Sequence, residues 1–185
     1  MSDVDVLESV VAKGKGIVAG VSPDRYGAPT PCTDYDVKTL LDHIVGWTRA
    51  FAAGANGRDA TEDPSTYTTD DPTAAYGAAA DDLVRGWREH GTDRDVRFAT
   101  AEMPGEAVLG MTLIEHVTHL CDLAIATGQE VPFTDEEVET ALARAKASLP
   151  DEFRGEGKMF ADVVPVPEDA PAVDRLLGFM GRQPA

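Results

Sequence analysis

A chain of 185 residues with 43% hydrophobic content is long enough for one domain with a sizeable core. Its 16 Lys and Arg against 33 Asp and Glu leave a formal net charge of −17, which argues against a nucleic-acid backbone or an anionic membrane surface as partner. No uninterrupted apolar run approaches the ~20 residues of a membrane span, and Met1-Ser-Asp-Val-Asp lacks the basic start of a secretory signal, so a cytoplasmic protein is expected.

Residues 3–20 place Val4, Leu7, Val10, Val11, Ile17 and Val18 at helical intervals, interrupted by Gly14 and Gly16, and predict a first helix. Val21 to Pro31, with three prolines and a glycine, predicts a loop. Thr33-Asp-Tyr-Asp36 then offers capping oxygens for a helix from about Asp36 to Ala53. In that helix Val37, Leu40, Leu41, Ile44, Val45, Trp47 and Phe51 keep the period. With His43 at zero, Leu40 falls at about +60°, Trp47 at about +40° and Phe51 at about +80°, which points His43 toward the core. A lone histidine there is ordinarily a hydrogen-bonded core residue; it becomes a candidate ligand only when other donors converge on it.

Residues 54–72 are polar and turn-rich, a long connection of the kind that is either mobile or a lid over a site. A third helix is expected from about Pro72 to His90, opened by Asp71 and closed by Gly91. Ala74, Ala75, Ala78, Ala79 and Ala80 permit close helix approach, Leu83, Val84 and Trp87 supply bulk, and His90 is expected to meet the free carbonyls of the last turn. Residues 95–100 predict a short extended piece and Met103-Pro-Gly a turn.

Residues 108–128 predict a long helix that is apolar almost all round yet carries Glu115, His116, His119 and Asp122. With Glu115 at zero, His119 falls at about +40° and Asp122 at about −20°, on one narrow face, whereas His116 lies off it at about +100°. Glu and His one turn apart can reach a single divalent cation, and His43 is the candidate for a further ligand. Cys121, at about −120°, predicts a small apolar filler. Cys32, just before the second helix, could be a thiolate favoured by the helix dipole but is expected to serve packing, and two cysteines define no disulfide framework. Thr134-Asp-Glu-Glu137 is a capping box for a fifth helix to about Leu149. Val163-Val-Pro-Val-Pro predicts an extended strap, and Ala172 to Met180 a last short helix. Helices of this length with long connections predict a bundle with its site between facing helices.

Three stretches carry a family resemblance: Thr30-Pro-Cys-Thr-Asp-Tyr-Asp-Val-Lys-Thr-Leu-Leu-Asp-His43, Glu115-His-Val-Thr-His119-Leu-Cys-Asp122-Leu-Ala-Ile-Ala-Thr-Gly-Gln129, and Arg175-Leu-Leu-Gly-Phe-Met-Gly-Arg-Gln-Pro184. Together they resemble actinobacterial metal-binding proteins of the DinB-like superfamily, in the group related to the N-terminal domain of mycothiol-dependent maleylpyruvate isomerase. The resemblance implies an all-α fold, an up-down-down-up four-helix bundle with a short C-terminal helical extension. Residues 1–130 would be the metal-binding core and 131–185 the extension packed on it, one domain overall. It also implies a divalent metal, zinc or nickel, held by His43, Glu115 and His119. Members of the superfamily use low-molecular-weight thiols, so mycothiol is the expected thiol cofactor and a homodimer is compatible with such bundles. About 35 residues follow the fifth helix where the isomerase has a substantial further domain, so the resemblance does not carry maleylpyruvate isomerisation itself.

Three protein ligands would leave room for an exogenous thiolate, which would attack an electrophilic small molecule in a transferase or isomerase reaction. Asp122 would orient an imidazole or shuttle a proton. The alternative is a non-catalytic metal-binding module of stress or regulatory function, and a third reading is a metal-free bundle with a buried Glu–His hydrogen bond.

Overall fold

Among the described residues, four of the six α-helices begin where a side-chain oxygen takes up amides that the first turn leaves free. Ser2 and Asp5 form a capping box for α1 (Asp3–Ala19), and Asp36 accepts from Thr39 N at 2.8 Å to open α2 (Val37–Ala55). Asp71 accepts from Ala74 N at 3.0 Å in front of Pro72, which opens α3 (Pro72–His90), and the Thr134–Glu137 box opens α5 (Asp135–Ser148). Prolines stand in front of the other two, Pro104 before α4 (Gly105–Thr127) and Pro171 before α6 (Ala172–Phe179). The computed structural model describes residues 1–98, 101–158 and 160–183.

Side-chain contacts fix the helix directions. Asp42, early in α2, accepts from Thr69 N just before α3, while Ala55 at the end of α2 lies against Gly86 near the end of α3, so these two helices run parallel. Arg88 at the end of α3 pairs with Asp5 and Glu8 at the start of α1, an antiparallel pair. Gln129, just past α4, donates to Ile17 O at the end of α1, so α1 and α4 are parallel. The order is up-down-down-up, an all-α bundle as the resemblance implies. A parallel α2–α3 pair requires its connection to run back along a whole helix, which sets a minimum length for the connection at residues 56–71. That segment includes a 3₁₀ turn, Pro64–Thr66, packed on α2.

α4 is the central element, in contact with α1, α2, α5, α6 and a small hairpin, and its apolar character on every side follows from being covered on nearly every side. Although the sequence shows no unbroken apolar run, α4 is long and apolar enough to cross a membrane by length and composition, and most of it is buried within the protein. α1 does not break at Gly14. The glycine lies on the buried face, where a Cβ would sit 2.5 Å from Tyr76 Oη and 2.7 Å from Leu120 Cδ1, so it sets the close approach of α1 to α3 and α4.

Met103 and Pro104, expected in a turn, belong to a strand: β1 (Asp95–Phe98) pairs antiparallel with β2 (Ala101–Pro104), and Gly105 starts α4 directly. Cross-strand pairing overrides the local turn signal of Met-Pro-Gly. The expected extended residues Ala99 and Thr100 lie outside the described residues, as does Pro184 of the third family signature. At the C-terminal end the strap at 163–167 lies along α6, with Val164 N donating to Gly178 O at 2.9 Å, and Arg175 of α6 is paired with Glu139 of α5.

Candidate functional site

Helical spacing on α4 stacks Glu115, His119 and Asp122 on one face, and α2 presents His43 to them. His43 Nε2–H donates to Glu115 Oε1 at 2.6 Å, and His119 Nε2 lies 3.4 Å from the same oxygen. The two imidazole centroids are 4.8 Å apart, and the nearest donor atoms of His43, Glu115 and His119 lie within 4.8 Å of one another. The side chains are 16%, 26% and 10% exposed, so the cluster is reachable from solvent without being surface-loose.

Behind His119 stands Asp122, which is wholly buried. Its Oδ2 accepts from His119 Nδ1 at 3.1 Å and from Arg182 Nη2 at 2.8 Å. With Nδ1–H bonded to Asp122, Nε2 is the His119 ring atom turned toward the Glu115 carboxylate. A cation between that nitrogen and the carboxylate, a proton on Nε2 or a metal ion, satisfies both groups. Two imidazole nitrogens and a carboxylate oxygen suit zinc and its first-row neighbours, and the anchored Nδ1 is the outer support such ligands ordinarily have.

Burial opposes a charge on Glu115, but His119 and His43 outweigh it and hold its pKa down at about 2. Burial likewise opposes ionisation of Asp122, and the His119 hydrogen bond together with the Arg182 guanidinium overcomes it, so its pKa too is depressed. Tyr35 forms one wall, its ring 4.8 Å from His43 and 6.3 Å from His119; burial raises its phenol pKa. Trp47 lies 6.1 Å from His43 and continues through Phe51 and Phe98 into an aromatic row.

Thus His43, Glu115, His119 and Asp122 come together. His116 points elsewhere: buried, with Nδ1 2.8 Å from Thr112 O and Nε2 3.0 Å from Thr48 Oγ1, it is a hydrogen-bonded core residue whose pKa burial depresses. His90 is exposed at the end of α3, and the thiol of Cys121 is held protonated by burial in the core. Cys32 is half-buried in the loop ahead of α2, in reach of His119 and Asp122, and burial raises its pKa, which disfavours the thiolate. The 56–71 connection packs along α2, with Thr69 N donating to Asp42 beside His43. It lines a cavity of about 450 Å³ on the α2–α3 side with Arg58, Asp59, Glu62 and Tyr67. Sequence reasoning assigned no role to Tyr35 or Arg182. Tyr35 is in a loop without periodicity, and the only signal for Arg182 was its place in the third family signature.

Comparison with known proteins agrees with this architecture. The crystal structure of a histidine-to-alanine mutant of the mycothiol-dependent maleylpyruvate isomerase matches with a TM-score of 0.62 at 16% identity, over 85% of this chain and 72% of that one, a likeness of fold. Uncharacterized proteins from two strains of Mycobacterium tuberculosis are each 34% identical over 167 residues, 90% of this chain and 90% of theirs. Residues 7–124 match the family model described as the mycothiol maleylpyruvate isomerase N-terminal domain. On the match across α1 to α4 and the extent of the mycobacterial likeness, the chain belongs to the family of the mycothiol maleylpyruvate isomerase N-terminal domain.

Proposed function

We propose that this chain holds a divalent metal ion on His43, Glu115 and His119 and uses it with a low-molecular-weight thiol, mycothiol, in a transfer or isomerisation on a small electrophilic molecule. One observation carries the reading: donor atoms of His43, Glu115 and His119 converge within 4.8 Å of one another, as the ligands of a single cation would. A Zn²⁺ or Ni²⁺ ion bound there would lower the pKa of a coordinating thiol, so that a thiolate is available at neutral pH.

The remaining work falls to the chain. Glu115 supplies the one negative charge of the donor set, which leaves a divalent cation with net positive charge toward a thiolate. Asp122, wholly buried and already accepting from both His119 and Arg182, suits orientation of the imidazole better than proton shuttling. Tyr35 and Trp47 wall the cluster with aromatic surface and exclude water from one side. The two cysteines are unpaired and suit a reducing cytoplasm, in which a thiol cofactor also stays reduced. Residues 131–185 are read as an extension of the 1–130 core within one domain.

Protein purified without an affinity tag is expected to contain near-stoichiometric zinc or nickel and to show a further thermal shift on adding mycothiol, both abolished in His43→Ala. Absence of metal together with no thermal response to Zn²⁺ or Ni²⁺ sinks the proposal. Metal without any response to the thiol leaves a module in which the ion fastens α2 to α4.

A further inference from the structure

Arg182 lies beyond the segment that matches the family model, in the tail after α6, yet its guanidinium reaches α4. We infer that Arg182 is a positioning residue for the donor cluster: it locks Asp122 in the one orientation that keeps His119 with Nδ1–H turned inward and Nε2 turned toward Glu115 and His43. The inference rests on the reading of those three residues as metal donors.

The geometry is that of a fork on a carboxylate. Arg182 Nη2 donates to Asp122 Oδ2 at 2.8 Å, Nε lies 3.2 Å from Oδ2 and 3.3 Å from Oδ1, and Nη1 donates to Met180 O at 2.7 Å. Both partners are withdrawn from water, Arg182 to 10% side-chain exposure and Asp122 to zero. Asp122 Oδ2 is the atom that also accepts from His119 Nδ1, so the rotation that would release the imidazole is the rotation that would break the Arg182 contact. The tail is aimed by Gly181, whose φ of +81° lies in the left-handed region, while Arg182 N donates to Leu177 O at 2.8 Å and closes the end of α6. A guanidinium fork with two fixed donors specifies the carboxylate plane; a lysine supplies the charge without the plane.

A merely structural clamp would hold the tail to α4 without setting which nitrogen of His119 carries the proton, and that separates the two roles. In metal-free protein, nitrogen-15 NMR of the histidine rings is expected to report His119 protonated at Nδ1. In Arg182→Met the same ring is expected to become a mixture of tautomers, with partial return in Arg182→Lys. Zn²⁺ affinity, measured by chelator competition, is expected to fall 10–100-fold in Arg182→Met and less in Arg182→Lys. Circular dichroism verifies that each variant is folded; where Arg182→Met is not, Arg182→Gln, which lacks both charge and fork, is read in the same way. A folded variant with wild-type tautomer and wild-type affinity overturns the inference. A wild-type protein that takes up no Zn²⁺ sinks the donor reading instead, and the tautomer in metal-free protein still decides the part played by Arg182.

Discussion

Glu115 and Glu137 are both carboxylates held below their ordinary pKa, and they show two different uses of that condition. At Glu115 the charge faces two imidazoles in a cluster open to solvent. Glu115→Gln keeps the size and an acceptor for His43 but removes the negative charge. The expected loss of Zn²⁺ affinity exceeds the ~10–100-fold typical of an outer supporting partner, as read by chelator competition. At Glu137, 1% exposed, the carboxylate accepts from Ser9 Oγ at 2.5 Å, from Lys13 Nζ at 2.6 and 2.7 Å, and from Thr134 N at 2.7 Å. Burial opposes its charge, but Lys13, Ser9 and the Thr134 amide prevail, so its pKa lies below the ordinary glutamate value. A depressed folded pKa contributes stability that is present above the unfolded value and lost as pH falls through the folded one. Urea unfolding between pH 7 and pH 3 is therefore expected to show stability falling from about pH 4.5 downward. Glu137→Gln should flatten that slope and cost about 1–3 kcal/mol at neutral pH.

Among the elements, α2 and α4 were the most legible in sequence. The apolar residues of α2 recur at helical spacing and α4 is apolar almost all round, so a helical wheel brings Glu115, His119 and Asp122 to one face of α4 and turns His43 inward, and the structure juxtaposes all four. Periodicity carries no information about segments that lack it. Arg182 reaches Asp122 across 60 residues of sequence, and Tyr35 meets His43 from a loop. The β1–β2 pairing was hidden for a related reason: Met-Pro-Gly is a turn signal locally, and only the register with Asp95–Phe98 makes it a strand end. In sequence Gly14 is only an interruption of the apolar period of α1, because its function lies in its neighbours on α3 and α4. Gly14→Ala forces a methyl against Tyr76 and Leu120 in a packed core, and about 1–3 kcal/mol of destabilisation is expected from the urea midpoint. An unchanged midpoint would mean that α1 can move away from α3 and α4 without cost.

Across the whole molecule, a net charge of −17 on 185 residues is a source of self-repulsion that local ion pairs such as Arg88 with Asp5 and Glu8 only partly offset. The melting temperature of the metal-free protein is therefore expected to rise between low salt and about 0.15 M NaCl at fixed pH; a fall would show that screened ion pairs outweigh relieved repulsion.

The parallel course of α2 and α3 sets a further limit, one of reach. A helix of 19 residues is about 28 Å long, and extended chain covers at most about 3.5 Å per residue. Roughly nine residues would thus suffice to carry the chain from the end of α2 back to the start of α3, whereas 56–71 provides about sixteen. The surplus is what lets the crossing bow away from the helices, hold Arg58, Asp59, Glu62 and Tyr67 over a cavity, and still anchor at Asp42 through Thr69. Pruned toward nine residues, the crossing would have to run taut along α2, and the cavity would be the first feature to disappear while the bundle kept its order.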